Sequence, residues 1–197
     1  MIDSLLLCLA GYLAGSIPFG LVSARLAGLG DIRKIGSGNI GATNVLRSGN
    51  KSAAFATLIG DAGKGAIAVF VAISLGYEQY APLVGFAAVV GHCYPIWLGF
   101  KGGKGVATAI ATIAVLYWPA AIAMALTWLV MSLVFRISSL SALTAFVAAS
   151  LVCYLYYADW LFVATIAALS FWRHKENIER LIAGTESRIS FSKKSEK

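Results

Sequence analysis

The sequence is short of charge, of acid above all, and of the residues that build metal and redox centres. Only 13% of its 197 residues are charged against 59% hydrophobic, which excludes both a solvated globular surface and a disordered chain. Nine acidic residues stand against sixteen basic ones, and two isolated histidines without ligand spacing exclude a metal site. Three cysteines, Cys8, Cys93 and Cys153, fall in separate apolar blocks, so they form no disulfide framework and read as buried thiols. Neither Gly63-Lys64-Gly65 nor the 101–105 run is a nucleotide P-loop, because the glycine spacing differs and no Ser or Thr follows the lysine. Gly36, Gly38 and Gly41 match G-x-G-x-x-G, but no strand precedes them, which removes dinucleotide binding. No basic region precedes the first apolar run, which opens with Asp3, so no cleaved signal is expected. No cofactor and no nucleic-acid partner is expected.

What is present is apolar length. The mean hydropathy is +0.79, with long apolar blocks separated by short charged stretches, as in a multi-span membrane protein. A crossing takes about 20 mostly apolar residues, so the chain has room for about seven and little else. The expected fold is all-α, one membrane-embedded domain over 1–197, with spans near 4–27, 53–76, 79–99, 105–118, 119–135, 138–157 and 159–172. The fourth and seventh are short for full crossings, which suits helices beside a water-filled pocket.

Basic residues near span ends stay in the cytoplasm, whereas acids contribute little to orientation. All sixteen Lys and Arg fall between Arg25 and Lys64, at Lys101 and Lys104, at Arg136, or from Arg173 to Lys197. The opposite turns hold Asp3, Glu78, the Tyr117 to Ala120 corner and Asp159. Seven crossings then put the N-terminus outside and the C-terminus inside, with one basic face against anionic headgroups and anionic metabolites.

Four stretches on that face carry chemistry. In the first, residues 36–47, Ser37, Gly38, Asn39, Thr43 and Asn44 supply backbone and side-chain donors and Arg47 a bidentate fork, a combination suited to phosphate. In the second, Asp61 and Lys64 share a helix face about 12 Å into a span at 1.5 Å per residue, where an ionisable pair points to function or to a structural ion pair. In the third, His92 precedes Lys101-Gly102-Gly103-Lys104-Gly105, a turn leading into a helix whose N-terminal amides and dipole favour an anion. In the fourth, residues 174–183 form an amphipathic helix on the membrane, with His174 and Asn177 on one face and Arg188 beyond it. The plain alternatives are a polar connector for the first stretch, a hydrogen-bonded core histidine for His92 and solvation for Lys175, Glu176 and Glu179.

Taken in order, Ser37-Gly38-Asn39-Ile40-Gly41-Ala42-Thr43-Asn44, Gly60-Asp61 with Lys64-Gly65, Gly91-His92 with Lys101 to Gly105, and the His174 to Arg188 tail resemble the bacterial acyl-phosphate:glycerol-3-phosphate acyltransferase family, PlsY. Gly15-Ser16-Ile17-Pro18-Phe19-Gly20 resembles that family's first-helix signature. The resemblance covers nearly the whole chain. It implies an inner-membrane enzyme of phospholipid synthesis, with its site facing the cytoplasm and membrane lipid around it. Acyl phosphate would be the donor, glycerol 3-phosphate the acceptor, and lysophosphatidic acid and phosphate the products.

On that reading Ser37, His92, Lys104 and His174 are the catalytic candidates. Gly38, Asn39, Thr43, Asn44, Arg47, Asp61, Lys64, Lys101, Gly102, Gly103, Asn177 and Arg188 are the phosphate-binding ones. The proton acceptor stays open among His92, His174 and a substrate phosphate. The His-x4-Asp pair of other glycerolipid acyltransferases is missing, and His174 with Glu179 is a chance near-match. Two rival classes are an organophosphate transporter, against which stands the lack of an inverted repeat, and a structural subunit.

Overall fold

A computed structural model describes residues 2–157 and 159–189. Among these the regular structure is helical, with no strand: α1 (Ile2–Gly15), α2 (Phe19–Leu26), α3 (Ala42–Leu46), α4 (Lys51–Ser74), α5 (Ala81–Cys93), α6 (Val106–Leu116), α7 (Trp118–Phe135), α8 (Ser138–Tyr156), α9 (Trp160–Arg173) and α10 (Lys175–Ile182). Among the described residues five segments are long and apolar enough to cross a membrane: Ile2–Leu26, Lys51–Ser74, Glu78–Leu98, Trp118–Phe135 and Ser138–Tyr156. Val106–Leu116 and Trp160–Arg173 are shorter apolar helices.

The first expected span is two helices rather than one. Pro18 has no amide hydrogen to donate and disfavours the helical region for Ile17, so the chain breaks between Gly15 and Phe19. The Ile17 carbonyl released by that break accepts a hydrogen bond from Lys64 Nζ at 2.9 Å, so it is satisfied inside the protein rather than exposed to lipid. Pro95 similarly ends α5 two residues ahead of itself.

Small residues bring the helices close. A methyl group on Gly15 would lie 2.1 Å from the Ala88 carbonyl oxygen, and one on Gly91 2.1 Å from that of Tyr12, so α1 and α5 meet backbone to backbone. Between hydrocarbon-solvated helices such close packing supplies the dispersion that a hydrophobic effect cannot. The main core, around Ile113, Met124, Phe146, Val163 and Ile166, joins α5 through α9. Leu5, Leu9, Leu126, Leu133, Leu151 and Leu155 are each more than half exposed, and such apolar outer faces suit lipid rather than water.

The alternation of these helices puts the start of α4, the end of α5, the starts of α6 and α8 and the end of α9 at one end of the bundle. A smaller cluster of Ala24, Ile32, Ile40, Val45, Ala53 and Ala54 seats residues 32–54 there. The first polar stretch is thus built on apolar anchors of its own.

Candidate active site

At that end lies a cavity of about 760 Å³. Its polar lining includes Ser37, Asn39, Thr43 and Arg47 from the first stretch, Lys104, His174 and Asn177, Ser138 and Ser139 from the start of α8, and Glu186. Apolar lining comes from Phe55 and Leu58 of α4, Ile110 of α6, and Ala125 and Trp128 of α7, with Lys51 and Asp61 of α4 also at the cavity.

The first stretch is shaped by Asn44. Its buried side chain accepts from the Ser37 amide at 2.9 Å and lies 3.3 Å from the Ser37 hydroxyl, while its Nδ2 donates to the carbonyls of Ile32 at 2.8 Å and Ile35 at 3.2 Å. Gly36 has φ +54°, and a Cβ there would sit 2.4 Å from Asn44 Oδ1, so only glycine lets the chain wrap this closely. Asn39 Oδ1 accepts from the Gly41 amide at 3.0 Å, and the Gly38 amide donates to the Ile35 carbonyl at 3.0 Å. These bonds rigidify the loop and leave the Ser37 hydroxyl, Thr43 and Arg47 at the cavity. Arg47 donates to Ser187 Oγ at 2.7 Å.

The third stretch folds back on α5. Gly102 N–H donates to the Cys93 carbonyl at 3.2 Å and Gly103 N–H to the His92 carbonyl at 3.0 Å. Gly105, at φ +80°, then turns the chain into α6, which has no side-chain cap. Val106 and Ala107 line the cavity, so the uncapped first turn of a helix and its positive dipole end face it. Beside this turn Lys104 Nζ donates to Asn177 Oδ1. Burial pushes the Lys104 ammonium down to about 8, only partly countered by the charge of Glu186.

The His174 Nδ1 lies 2.7 Å from the Ser170 carbonyl oxygen, which can only accept, so Nδ1 carries the hydrogen and Nε2 is the acceptor of the neutral ring. Burial, and next the nearby charge of Lys104, push His174 down to about 4, so the ring is neutral at neutral pH. Burial disfavours the charge on Glu186, but hydrogen bonds from Arg180 at 2.6 Å, Asn177 at 2.6 Å and Ser139 at 2.8 Å hold its carboxyl below the usual range.

The glycerol-3-phosphate acyltransferase family model matches residues 5–184, almost the whole described chain. The chain belongs to that family. A glycerol-3-phosphate acyltransferase of Paramagnetospirillum magneticum is 58% identical over all of this chain and 98% of its own length, and one of Jannaschia sp. is 54% identical over 93% and 92%. The crystal structure of PlsY, an integral membrane glycerol 3-phosphate acyltransferase, in its glycerol 3-phosphate form superposes with a TM-score of 0.89 at 39% identity, covering 95% of this chain and 96% of that one. Its lysophosphatidic acid form superposes with a TM-score of 0.86. The family fold and the apolar helices make this a multi-pass membrane protein.

Against this cavity the sequence candidates divide. Ser37, Asn39, Thr43, Asn44, Arg47, Asp61, His92, Lys104, His174 and Asn177 line it. Gly38, Lys64, Lys101, Gly102, Gly103 and Arg188 do not. Lys64 points away, its Nζ 2.9 Å from Asp61 Oδ1 as well as bonded to Ile17. His92 Nδ1 lies 3.4 Å from the same Asp61 oxygen, and a Cβ on Gly103 would fall 2.1 Å from His92 Nε2. His92 is thus wedged between Asp61 and the Gly103 turn. Lys101 and Arg188 are exposed.

Among the polar side chains that line the cavity, Lys51, Ser138, Ser139 and Glu186 were not among the sequence candidates. The signal for Glu186 was faint, one of several glutamates in a basic tail. Serines at a helix start carry almost none.

Proposed function

We propose that this chain transfers the acyl group of an acyl phosphate to the 1-hydroxyl of glycerol 3-phosphate, giving lysophosphatidic acid and inorganic phosphate. The observation that carries this reading is one cavity with a mixed lining. Its cations and donors suit phosphate, and Phe55, Leu58, Ile110 and Trp128 suit a fatty chain. An acyl phosphate needs both at once, and glycerol 3-phosphate needs the first.

In this reading Lys104 and the first-turn amides of α6 hold the phosphate that departs, and Arg47, Ser37 and Thr43 hold the acceptor's phosphate. Preorganised donors of this kind act on charge as it develops. The hydroxyl oxygen attacks the acyl carbon, the bond from that carbon to the phosphate oxygen breaks, and the hydroxyl proton passes to the departing phosphate. Two features support that proton acceptor. At about 4, His174 is poorly matched to take a proton at neutral pH, whereas a phosphate with its second pKa near 6 is better matched. His174 Nε2 instead accepts the hydrogen bond that orients the hydroxyl. His92 and Asp61 brace the floor of the site, and Asn44 its first loop.

We also assign the chain seven crossings of the inner membrane, with α1 and α2 as one broken span, the N-terminus outside and the site on the cytoplasmic side. The one-sided placement of Lys and Arg supports this assignment. Labelling by an impermeant maleimide tests it: in intact cells Asp3→Cys should react and Ser48→Cys should not, and the reverse pattern would overturn it.

Purified protein incubated with acyl phosphate and labelled glycerol 3-phosphate should yield labelled lysophosphatidic acid without any other protein. Product with acyl coenzyme A but none with acyl phosphate would refute the donor.

A further inference from the structure

Arg173 stands outside the cavity wall, yet it meets the part of the chain that carries Lys104. Its Nε donates to the Gly103 carbonyl at 3.1 Å and its Nη2 to the Gly102 carbonyl at 3.0 Å, and its guanidinium lies over the Tyr94 ring, 4.9 Å from the centroid. Ser170, one turn earlier on α9, donates from Oγ to the Lys104 carbonyl at 3.4 Å. Three successive carbonyls, 102 to 104, thus accept from the last turn of a single helix. The amides of Gly102 and Gly103 are held on the opposite side by the carbonyls of Cys93 and His92. The turn is therefore clamped from both sides, and the residue it fixes is Lys104.

We propose that Arg173 is a positioning residue for acyl transfer, holding the Gly102-Gly103-Lys104 turn so that the Lys104 ammonium stands at the phosphate end of the cavity. A lysine cannot replace it. One ammonium cannot bond two neighbouring carbonyls in a fixed fork while lying flat on a tyrosine ring. The same helix turn carries His174, so one clamp sets the distance between the cation and the imidazole. Arg173 also bears on the charge of Lys104, which is surrounded by Glu186, Arg180, Glu176 and Arg173 and by the neutral ring of His174.

This inference rests on Lys104 acting at the phosphate, and a double-substitution cycle separates the two ideas. Arg173→Gln, Arg173→Lys and Lys104→Gln, and Arg173→Gln combined with Lys104→Gln, are assayed with acyl phosphate and glycerol 3-phosphate at enough enzyme to read residual rates. Both Arg173 variants should lose roughly ten- to a hundredfold in kcat/KM, since displacing a catalytic group by about 1 Å can cost that much. In the Lys104→Gln background Arg173→Gln should cost under threefold. Removing the guanidinium charge should also move the alkaline limb of the pH profile upward in Arg173→Gln and leave it in place in Arg173→Lys. Losses that multiply in the double variant, or an unmoved limb in Arg173→Gln, would overturn the positioning role. Full activity of Lys104→Gln alone would instead sink the assignment of Lys104. A purely structural role for Arg173 would lower yield and thermal midpoint without moving the pH limb, and Arg173→Lys, which keeps the charge, checks whether folding alone explains the loss.

Discussion

The tripeptide Gly-Lys-Gly occurs twice in this chain, at 63–65 and at 103–105, and the two lysines have opposite fates. Lys64 lies inside α4, three residues after Asp61, and its ammonium is bonded to Asp61 and to the carbonyl freed by the break at Pro18. Lys104 lies ahead of α6, with a left-handed glycine after it, and its ammonium lines the cavity beside Asn177. The local sequence is shared, so the difference comes from its setting. A lysine one helical turn from an aspartate pairs with it, whereas a lysine at an uncapped helix start adds its charge to that of the helix end. The first lysine ties α4 to the break between α1 and α2. The second is available to an anion.

The comparison would break if the two lysines behaved alike on substitution. The largest effect on chemistry is expected at Lys104: Lys104→Ala should lower kcat/KM by on the order of a hundred- to a thousandfold, with little change in thermal midpoint, because it removes a preorganised donor to developing charge. Comparable activity in steady-state assays would show that the phosphate is held elsewhere.

Lys64→Met should do the reverse. It leaves the Asp61 carboxylate buried without its cation, a change that costs about 3–5 kcal/mol, read as a lower unfolding midpoint in detergent and a lower yield. Adding Asp61→Asn to Lys64→Met should restore much of that midpoint. If Lys64→Met instead kept its stability and lost only turnover, the structural assignment of the pair would fall.

Much of this division was legible beforehand, for physical reasons that differ by residue. Apolar length and one-sided basic charge announce a membrane bundle, because bilayer thickness and charge retention act on composition directly. Asp61 and Lys64 could be paired from spacing alone, since a helix fixes which residues meet. The break at Pro18 was present in the sequence, but a continuous apolar run hid it, and the compensating bond from Lys64 is a contact across 47 positions. The glycines at 102 and 103 invited a phosphate-cradle reading. Their amides are in fact bonded to α5, because in folding back the turn meets the bare carbonyls of a helix that Pro95 has ended. Glu186 becomes a cavity residue only through Ser139, Asn177 and Arg180, none of which a local motif connects to it.

The pH dependence sharpens the contrast by assigning a charge state to one lysine. With the Lys104 ammonium held down to about 8 by burial, its cation is present below that pH and is lost as pH rises through it. The kcat/KM for acyl transfer should therefore fall by about tenfold per unit well above pH 8. In kcat the limb should move to higher pH, because bound phosphate favours the charged lysine. A flat profile from pH 7 to 10 would mean that Lys104 is charged throughout or unused.

The smallest effect is expected at Lys101, and it isolates what the clamp on Lys104 contributes. Lys101 belongs to the same glycine-rich turn, three residues before Lys104, yet it is exposed and does not line the cavity. An exposed ammonium beyond the cavity wall acts on an anionic substrate only through a field that salt screens within about 8 Å at physiological ionic strength. Lys101→Ala should then lower kcat/KM by about twofold or less at physiological salt, with a somewhat larger loss at low salt, where the screened distance lengthens. A loss as large as that of Lys104→Ala, and independent of salt, would place both lysines on the phosphate. The distinction between a cation fixed by its turn and one merely near it would then have to be abandoned.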